Sequence, residues 1–495
     1  MNPNPDNASD NAADYCRPVY HFTPSANWMN DPNGLVFYEG EWHLFHQHTP
    51  PGHEGSHWGH AVSTDLLHWE HLPVALWPDE LGIIASGSAV VDWDDTSGFF
   101  GGGHGLVAVF THWKNQNKPD SDQAQSIAYS TDKGRSWIKY AGNPVLPNQG
   151  VPDFRDPKVF RHGPTSRWVL VAATFDCVTL YTSPNLRDWT YASTFGKGQG
   201  LEGFIWECPD LFELPIDGDT AHTKWVLNTS YLQHNVPEGS LGACSMQYFV
   251  GDFDGTTFYN DNPPDVILPS TGGPDDYATV SWSDVPPEDG RRVWIGWMSH
   301  WGYAGGPPTL GWQGAMTVPR CVSLHTTPEG VRLCQTPARE LEALRGPAQP
   351  WRDKALSPGQ PFVLPVGSGC CELGAEFEAG DASSFGVAVR VGGNERTLIG
   401  YDAATSELFV DRTRSGQTGF HPKFGSITRV PLALSDGKLT LRVFVDRCSV
   451  EVFANDGAAY LAALVFPSQG SQGIEAYAEG GAARLLSLTL YADSL

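Results

Sequence analysis

HWGHAVSTDLLHW at residues 57–69, QSIAYSTDKGRSW at 125–137 and VTLYTSPNLRDW at 178–189 follow one design. An alternating apolar run ends in Ser, a tight polar turn follows, and Trp opens the next stretch. The fixed points are Ser63, Asp65 and Trp69, then Ser130, Asp132 and Trp137, then Ser183, Asn185 and Trp189. MQYFVGDFDGTTF, ending at Phe258, is a looser relative. Each copy reads as a strand, an Asp/Asn/Gly turn and an aromatic residue starting the next strand. Copies recur roughly every 50 to 70 residues. Repeats of one sheet each point to a β-propeller, whose blades surround a central channel. Four to five blades fit within about the first 340 residues. Unrelated hairpins in a sandwich are the competing reading.

Beyond that stretch the pattern changes. TPARELEALR at 336–345 carries a helical signal. Thr336 can cap, Pro337 sits in the first turn, and Leu341 and Leu344 share one side. Residues 336–355 are therefore read as a helical linker between domains. From 356 to 495, runs such as KLTLRVFVDRCSVEVFAN alternate apolar and polar residues between Gly, Asp and Asn turns. That is the pattern of an antiparallel two-sheet sandwich. The expected fold is all-β: a polar tail over 1–18, a propeller over 19–335, the linker, and a C-terminal β-sandwich.

Composition sets outer limits. A chain of 495 residues is too long for one ordinary core. The 54 Gly, 38 Pro and 18 Trp suit a turn-rich β protein with flat aromatic faces for a sugar ring, although any single Trp can equally fill the core. A formal net charge of −25 repels polyanions, so neither nucleic acid nor an anionic membrane is an expected partner. The nine Cys form no CxxC pair and are read as reduced thiols. The first residues show no basic and apolar leader, and no run of about 18 apolar residues spans a membrane. A cytoplasmic location is the simplest reading of the sequence as written, with secretion left open.

Three acidic segments could carry chemistry. WMNDPNG (28–34) holds Asp31, FRDPKV (154–159) holds Asp156 beside Arg155, and WECPD (206–210) holds Glu207. Each sets a carboxylate by a large side chain with Pro one or two residues later, which fixes the local chain direction. Carboxylates from different blades could meet in one channel. Glycosidic bond cleavage needs such a meeting, with one protonated acid for the leaving oxygen and one ionised group for the anomeric carbon or for water. Trp206 would wall Glu207 in a dry setting suited to a general acid. Arg155 would keep Asp156 ionised.

Together, and in this order and spacing, WMNDPNG, FRDPKV and WECPD resemble the signature motifs of glycoside hydrolase family 32. The resemblance runs from RPVYHFTPSANWMNDPNG to VDRCSVEVFAND. It implies a five-bladed propeller joined to a β-sandwich, and hydrolysis with retention and no cofactor or metal. By motif, Asp31 would be the nucleophile, Glu207 the acid/base, and Asp156 the group that holds fructose hydroxyls and steadies the transition state. Arg155 would orient Asp156. The two reacting carboxyls would lie about 5–5.5 Å apart. Asn30, Gln47, Trp58, Ser86, Asp275 and Trp312 are expected around the sugar, and Trp301, with Tyr303 nearby, over a second unit.

Four residues depart from the family pattern: Ala85 replaces an aromatic wall, Gln313 follows Trp312 where Arg is common, and His46 and His48 flank Gln47 where Tyr and Asn are common. They put substrate preference in question. The expected substrate is a fructose-containing oligo- or polysaccharide such as sucrose, inulin or levan, cut at its terminal fructose. A fructosyltransferase or an endo-acting fructanase on the same scaffold is the alternative, and a non-catalytic sugar binder is a third, disfavoured because both reacting carboxylates are present. Five His between 46 and 60 could suggest a metal, but Pro50-Pro51-Gly52 breaks any helical register among them. Homodimerisation through the sandwich stays open.

Overall fold

The computed structural model describes residues 15–116, 118–233 and 242–493. The expected polar tail lies outside the described residues up to position 14. At its end, the Tyr15 hydroxyl accepts a hydrogen bond from Arg390 of the C-terminal part.

The fold is all-β, a propeller followed by a sandwich. The repeated Ser–Asp–Trp segments are the turns between third and fourth strands. Ser63 ends His57–Ser63, and Asp65 accepts from Ser63 Oγ and from the backbone N–H groups of Leu67 and His68. Trp69 then donates from Nε1 to the Leu66 carbonyl. Ser130, Asp132 and Trp137 repeat this with Gly134 as the acceptor, and Ser183, Asn185 and Trp189 repeat it with Leu186. The side chain replaces backbone partners that a tight turn cannot supply, which is why Asp or Asn recurs there.

Three sheets are separate antiparallel meanders. One holds Asn27–Tyr38, Glu41–Thr49, His57–Ser63 and Glu70–Leu76; the next starts at Ile83–Asp92 and the third at Phe154–His162. A nine-stranded sheet follows. It contains a run from Phe204–Ile216 and a run from Tyr277–Ser281, joined through the single parallel pair Ile216↔Leu324. The innermost strands Asn27–Tyr38, Ile83–Asp92, Phe154–His162, Phe204–Ile216 and Tyr277–Ser281 neighbour one another in a closed ring. The late segment Trp312–Gln313 pairs in parallel with Asn27 and Trp28 and ties the end of the ring to its start.

The helical linker is only partly present. Thr336 belongs to the strand Gly330–Pro337, and Arg339–Leu344 is a short 3₁₀ turn. Leu341 and Leu344 are buried on one side, as the i, i+3 spacing of that helix requires. Arg345–Leu356, expected as linker, is instead a strand paired with Ala483–Asp493. Gly346, Pro347 and Pro350 deny it a helix.

Two six-stranded sheets form the sandwich. Between them lie Leu373, Phe377, Phe385, Val387, Ile399, Leu441, Val443 and Leu488, all buried. A second apolar cluster, including Tyr20, Met298, Tyr303, Leu344, Phe444 and Phe466, joins sandwich to propeller. His21 bridges that seam, with Nδ1 2.7 Å from Asp446 and Nε2 2.6 Å from Glu451. Burial would lower the His21 pKa, but its bonds to the two carboxylates outweigh burial and hold it at about 9. Among the described residues no helix is long and apolar enough to cross a membrane.

Candidate active site

Each innermost strand breaks its register near one end of the channel, with two residues opposing one. Asn30 and Asp31 lie between the pairs Met29↔His48 and Pro32↔His46. Ala85 and Ser86 oppose Thr111, Asp156 and Pro157 oppose Ala172, Cys208 and Pro209 oppose Thr229, and Ala278 and Thr279 oppose Gly296. A bulge bends the strand and re-aims a side chain out of simple alternation. Pro in three of the segments supplies no N–H to the broken ladder. Asp156, Cys208 and Ala278 have φ of 59°, 45° and 55°. Such left-handed non-glycine residues cost of order 1 kcal/mol or more each and gather where function needs them. Gly296 leaves room for its bulge: a Cβ there would meet Thr279 Oγ1 at 2.1 Å and Asp276 Oδ1 at 2.2 Å.

The bulges bring Asp31, Asp156 and Glu207 to one cavity of about 350 Å³, together with Asn30, Gln47, Ser86, Arg155 and Trp301. Ser86 Oγ donates to Asp31 Oδ2 at 2.7 Å. Gln47 Nε2 donates to Ser86 Oγ at 2.7 Å, and Gln47 Oε1 accepts from Ser56. Asp31 Oδ1 is buried and has no hydrogen-bond partner among the described residues. One oxygen is thus held and the other left bare. Asn30 accepts from Trp28 Nε1 at 2.7 Å.

Asp156 is fixed by its backbone as well as its side chain. Its N–H donates to Thr111 Oγ1 at 3.0 Å, and its Oδ2 accepts from the Cys208 N–H at 3.0 Å. The Cys208 thiol sits 3.6 Å from Asp31 Oδ2 and 3.7 Å from Asp156 Oδ2. Glu207 is held at both oxygens. Arg155 donates to Oε1 from Nη2 at 2.9 Å and from Nε at 3.2 Å, and the Tyr277 hydroxyl donates to Oε2 at 2.5 Å. Arg155 Nη1 reaches Asp153 at 2.5 Å, while its Nε lies 3.8 Å from Asp156. The guanidinium therefore serves Glu207 more directly than Asp156, the partner expected of it.

One guanidinium faces three carboxyl groups. Burial, and then the charge of Glu207, raise the Asp31 pKa, opposed by the hydrogen bonds from Ser86, Asn30 and Cys208. Burial lifts Asp156 to about 7; Arg155 pulls it down, and Glu207 and Asp31 push it up. Burial keeps the Tyr277 hydroxyl well above its usual range, so it remains a donor.

Several expected pocket residues lie elsewhere. Trp58 is fully buried among Phe45, Leu76, Ile84 and Phe110, and it donates to the Ala85 carbonyl at 2.9 Å. It supports the bulge from behind and does not line the cavity. Trp312 is buried in the seam to the sandwich under the guanidinium of Arg17. Asp275 is turned into the same seam, where it accepts from Arg412 at 2.5 Å, Tyr303 at 2.5 Å and the Leu464 N–H at 2.8 Å. Trp206 faces Phe249 on the side of its strand away from Glu207, as alternation dictates. His46 packs on Phe22, and His48 bonds the Trp28 carbonyl at 2.8 Å, so both act below the pocket surface. His43 pairs with His60, and His53 and His57 edge onto Trp77.

Sequence reasoning missed Tyr277, Cys208, Ser56, Trp113 and Gln116. Tyr277 stands two residues after Asp275 in GPDDYA (273–278), and Cys208 lies inside WECPD. Ser56, Trp113 and Gln116 line the cavity from outside any quoted motif.

Converging carboxyls, a paired guanidinium and aromatic side chains at a propeller's channel define a glycoside hydrolase site. The model for "Glycosyl hydrolases family 32 N-terminal domain" matches residues 21–337, and that for "Glycosyl hydrolases family 32 C terminal" matches 340–492. The chain belongs to glycosyl hydrolase family 32. It is 52% identical to a levanase of Bacillus subtilis over 96% of this chain and 70% of that protein. It is 40% identical to an extracellular exo-inulinase of Aspergillus ficuum over 94% of this chain and 92% of that protein. The crystal structure of exo-inulinase from Aspergillus awamori superposes with a TM-score of 0.87 at 36% identity, covering 97% of this chain and 99% of that one.

Proposed function

We propose that this enzyme releases terminal β-linked fructose from fructans and sucrose with retention of configuration. A bare Asp31 Oδ1 beside a doubly anchored Glu207 carries this reading. Asp31 attacks the anomeric carbon, the glycosidic C–O bond breaks, and the leaving oxygen takes a proton from Glu207. Glu207 then removes a proton from water, which attacks the same carbon. The ester bond to Asp31 breaks, and fructose departs with both carboxyls restored. Asp156, locked at its bulge, accepts from ring hydroxyls. Asn30, Gln47 and Ser86 complete the sugar's polar surroundings, and Trp301 offers a flat face at the mouth.

Terminal release is supported by the likeness to an exo-inulinase of similar length. That relative is named extracellular, and a polymer substrate would place this chain outside the cell too. The test is product analysis after separate incubation with sucrose, inulin and levan. Fructose alone, from the start, is expected from each substrate that is cut. Early oligosaccharides would instead mean internal cleavage or transfer. No product from any of the three would end the reading.

A further inference from the structure

Three of the innermost strands, Ile83–Asp92, Phe154–His162 and Phe204–Ile216, continue past their bulges to the other end of the channel. Their later residues, with Asp284 and Arg292, line a second cavity of about 460 Å³. It shares no lining residue with the carboxylate cavity. Arg161 of this cavity and Asp156 of the other stand on one strand, roughly 15 Å apart at about 3.3 Å per residue.

The polar capacity left over at this end is cationic. Among the described residues the Arg161 side chain makes no hydrogen bond or ion pair. Its guanidinium lies 5.2 Å over the Trp168 ring, and its Nη1 is buried without a partner. Arg292 donates once, from Nη1 to the Trp282 carbonyl at 3.3 Å, and rests 5.2 Å over Phe212 with no carboxylate in ion-pair range. The buried carboxylates close by are already used. Asp284 accepts from the Val91 N–H at 2.9 Å and from Trp93 Nε1 at 3.0 Å. Asp92 accepts from Thr96 and Ser97, and Asp210 is paired with Lys158 at 3.1 Å. Asp94 and Glu213 are exposed, where solvent screens them. A guanidinium donor buried without an acceptor is costly. Burial lowers the Arg292 pKa, and the more distant charges of Asp210 and Asp284 only oppose that shift.

We propose that this end of the channel binds a small oxyanion, phosphate or carboxylate, carried on a flat apolar body. The guanidinium groups of Arg161 and Arg292 present planar sets of donors suited to such an anion. Aromatic walls would take the body. Trp93 is 53% exposed, yet its ring is fixed by the bond to Asp284 and by His104 at 4.9 Å. Trp225 and Phe253 line the cavity as well. The site stands apart from the fructosidase reading and does not depend on it.

The test is titration calorimetry on the full chain in a phosphate-free buffer at about 0.15 M salt, which screens the net charge of −25. The probes are inorganic phosphate, phenyl phosphate, benzoate and the neutral benzamide. Saturable binding of phenyl phosphate or benzoate is expected, with benzamide silent. The tighter of the two then identifies the headgroup. Arg161→Gln and Arg292→Gln, verified as folded by thermal melts, should each weaken that binding about tenfold or more. If Arg292→Gln does not fold, Arg161→Gln alone decides. No binding of any anion to wild type, benzamide bound as well as benzoate, or an unchanged affinity in Arg161→Gln overturns the site. Phenyl phosphate bound no tighter than inorganic phosphate overturns the aromatic contact.

Discussion

Ser86→Ala isolates the hydrogen bond that holds the proposed nucleophile. Ser86 Oγ lies 2.7 Å from Asp31 Oδ2 and is itself braced by Gln47 at 2.7 Å. The substitution removes a buried bond to an ionisable carboxyl, worth about 1.5–3 kcal/mol, and strands the Gln47 amide donor. If the attacking geometry depends on that bond, kcat/KM for sucrose falls about 10- to 150-fold. The pH profile supplies a second readout. Burial already raises the Asp31 pKa, and Ser86 is among the bonds that restrain it. Attack needs the ionised carboxylate, so activity is lost as pH falls through this pKa. Without Ser86 the pKa rises further, and the acidic limb of kcat/KM must move to higher pH. A loss under about threefold with an unmoved acidic limb would refute the reasoning, because a bond of this class cannot vanish so quietly from a working nucleophile.

Asp31→Asn and Glu207→Gln should each cut turnover by on the order of a thousandfold or more while leaving the melting transition near wild type; near-normal rates would remove the assigned roles. Arg412→Met leaves Asp275 as a buried carboxylate without its cation, and chemical denaturation should show a loss of about 3–5 kcal/mol. His21 is held at about 9, above the ordinary value of 6.5. Its bridge therefore stabilises fully below about pH 6.5 and fades as pH rises through about 9. Melts of wild type and His21→Gln across that window should converge toward the alkaline end, and a constant gap would show that the charge on His21 does not contribute.

The carboxylates were legible because their motifs pair an acid with a nearby Pro, and in the structure those prolines sit at or beside broken ladders. The aromatic neighbours were harder. Trp58 stands two residues from the cavity-lining Ser56, yet its ring is buried behind the Ala85–Ser86 bulge, and Trp312 is taken up by the seam to the sandwich, so the facing side did not follow from position in the sequence alone. Asp275 and Tyr277 show the same limit: two residues apart, one enters the seam and the other reaches Glu207. The repeated Ser–Asp–Trp turns were readable because each is closed by its own side chains. The strand Arg345–Leu356 was not, because its partner Ala483–Asp493 lies at the far end of the chain. The short 3₁₀ turn kept the expected burial of Leu341 and Leu344 but not the expected length.

Trp312–Gln313 is bonded to Asn27–Trp28, three residues ahead of Asp31. During synthesis the strand carrying the proposed nucleophile emerges early, yet its parallel partner arrives only after every other carboxylate of the site has been made. Such distant pairing is slow to form and gains nothing until it closes. A chain arrested before residue 312 would hold Asp31, Asp156 and Glu207 on strands that already neighbour one another, but without the pairing that ties Asn27 and Trp28 to the later chain. The strand that carries the proposed nucleophile is thus secured on both edges only once the chain has passed residue 313, and a nascent or clipped fragment holding every reacting group would still lack one of its two ties.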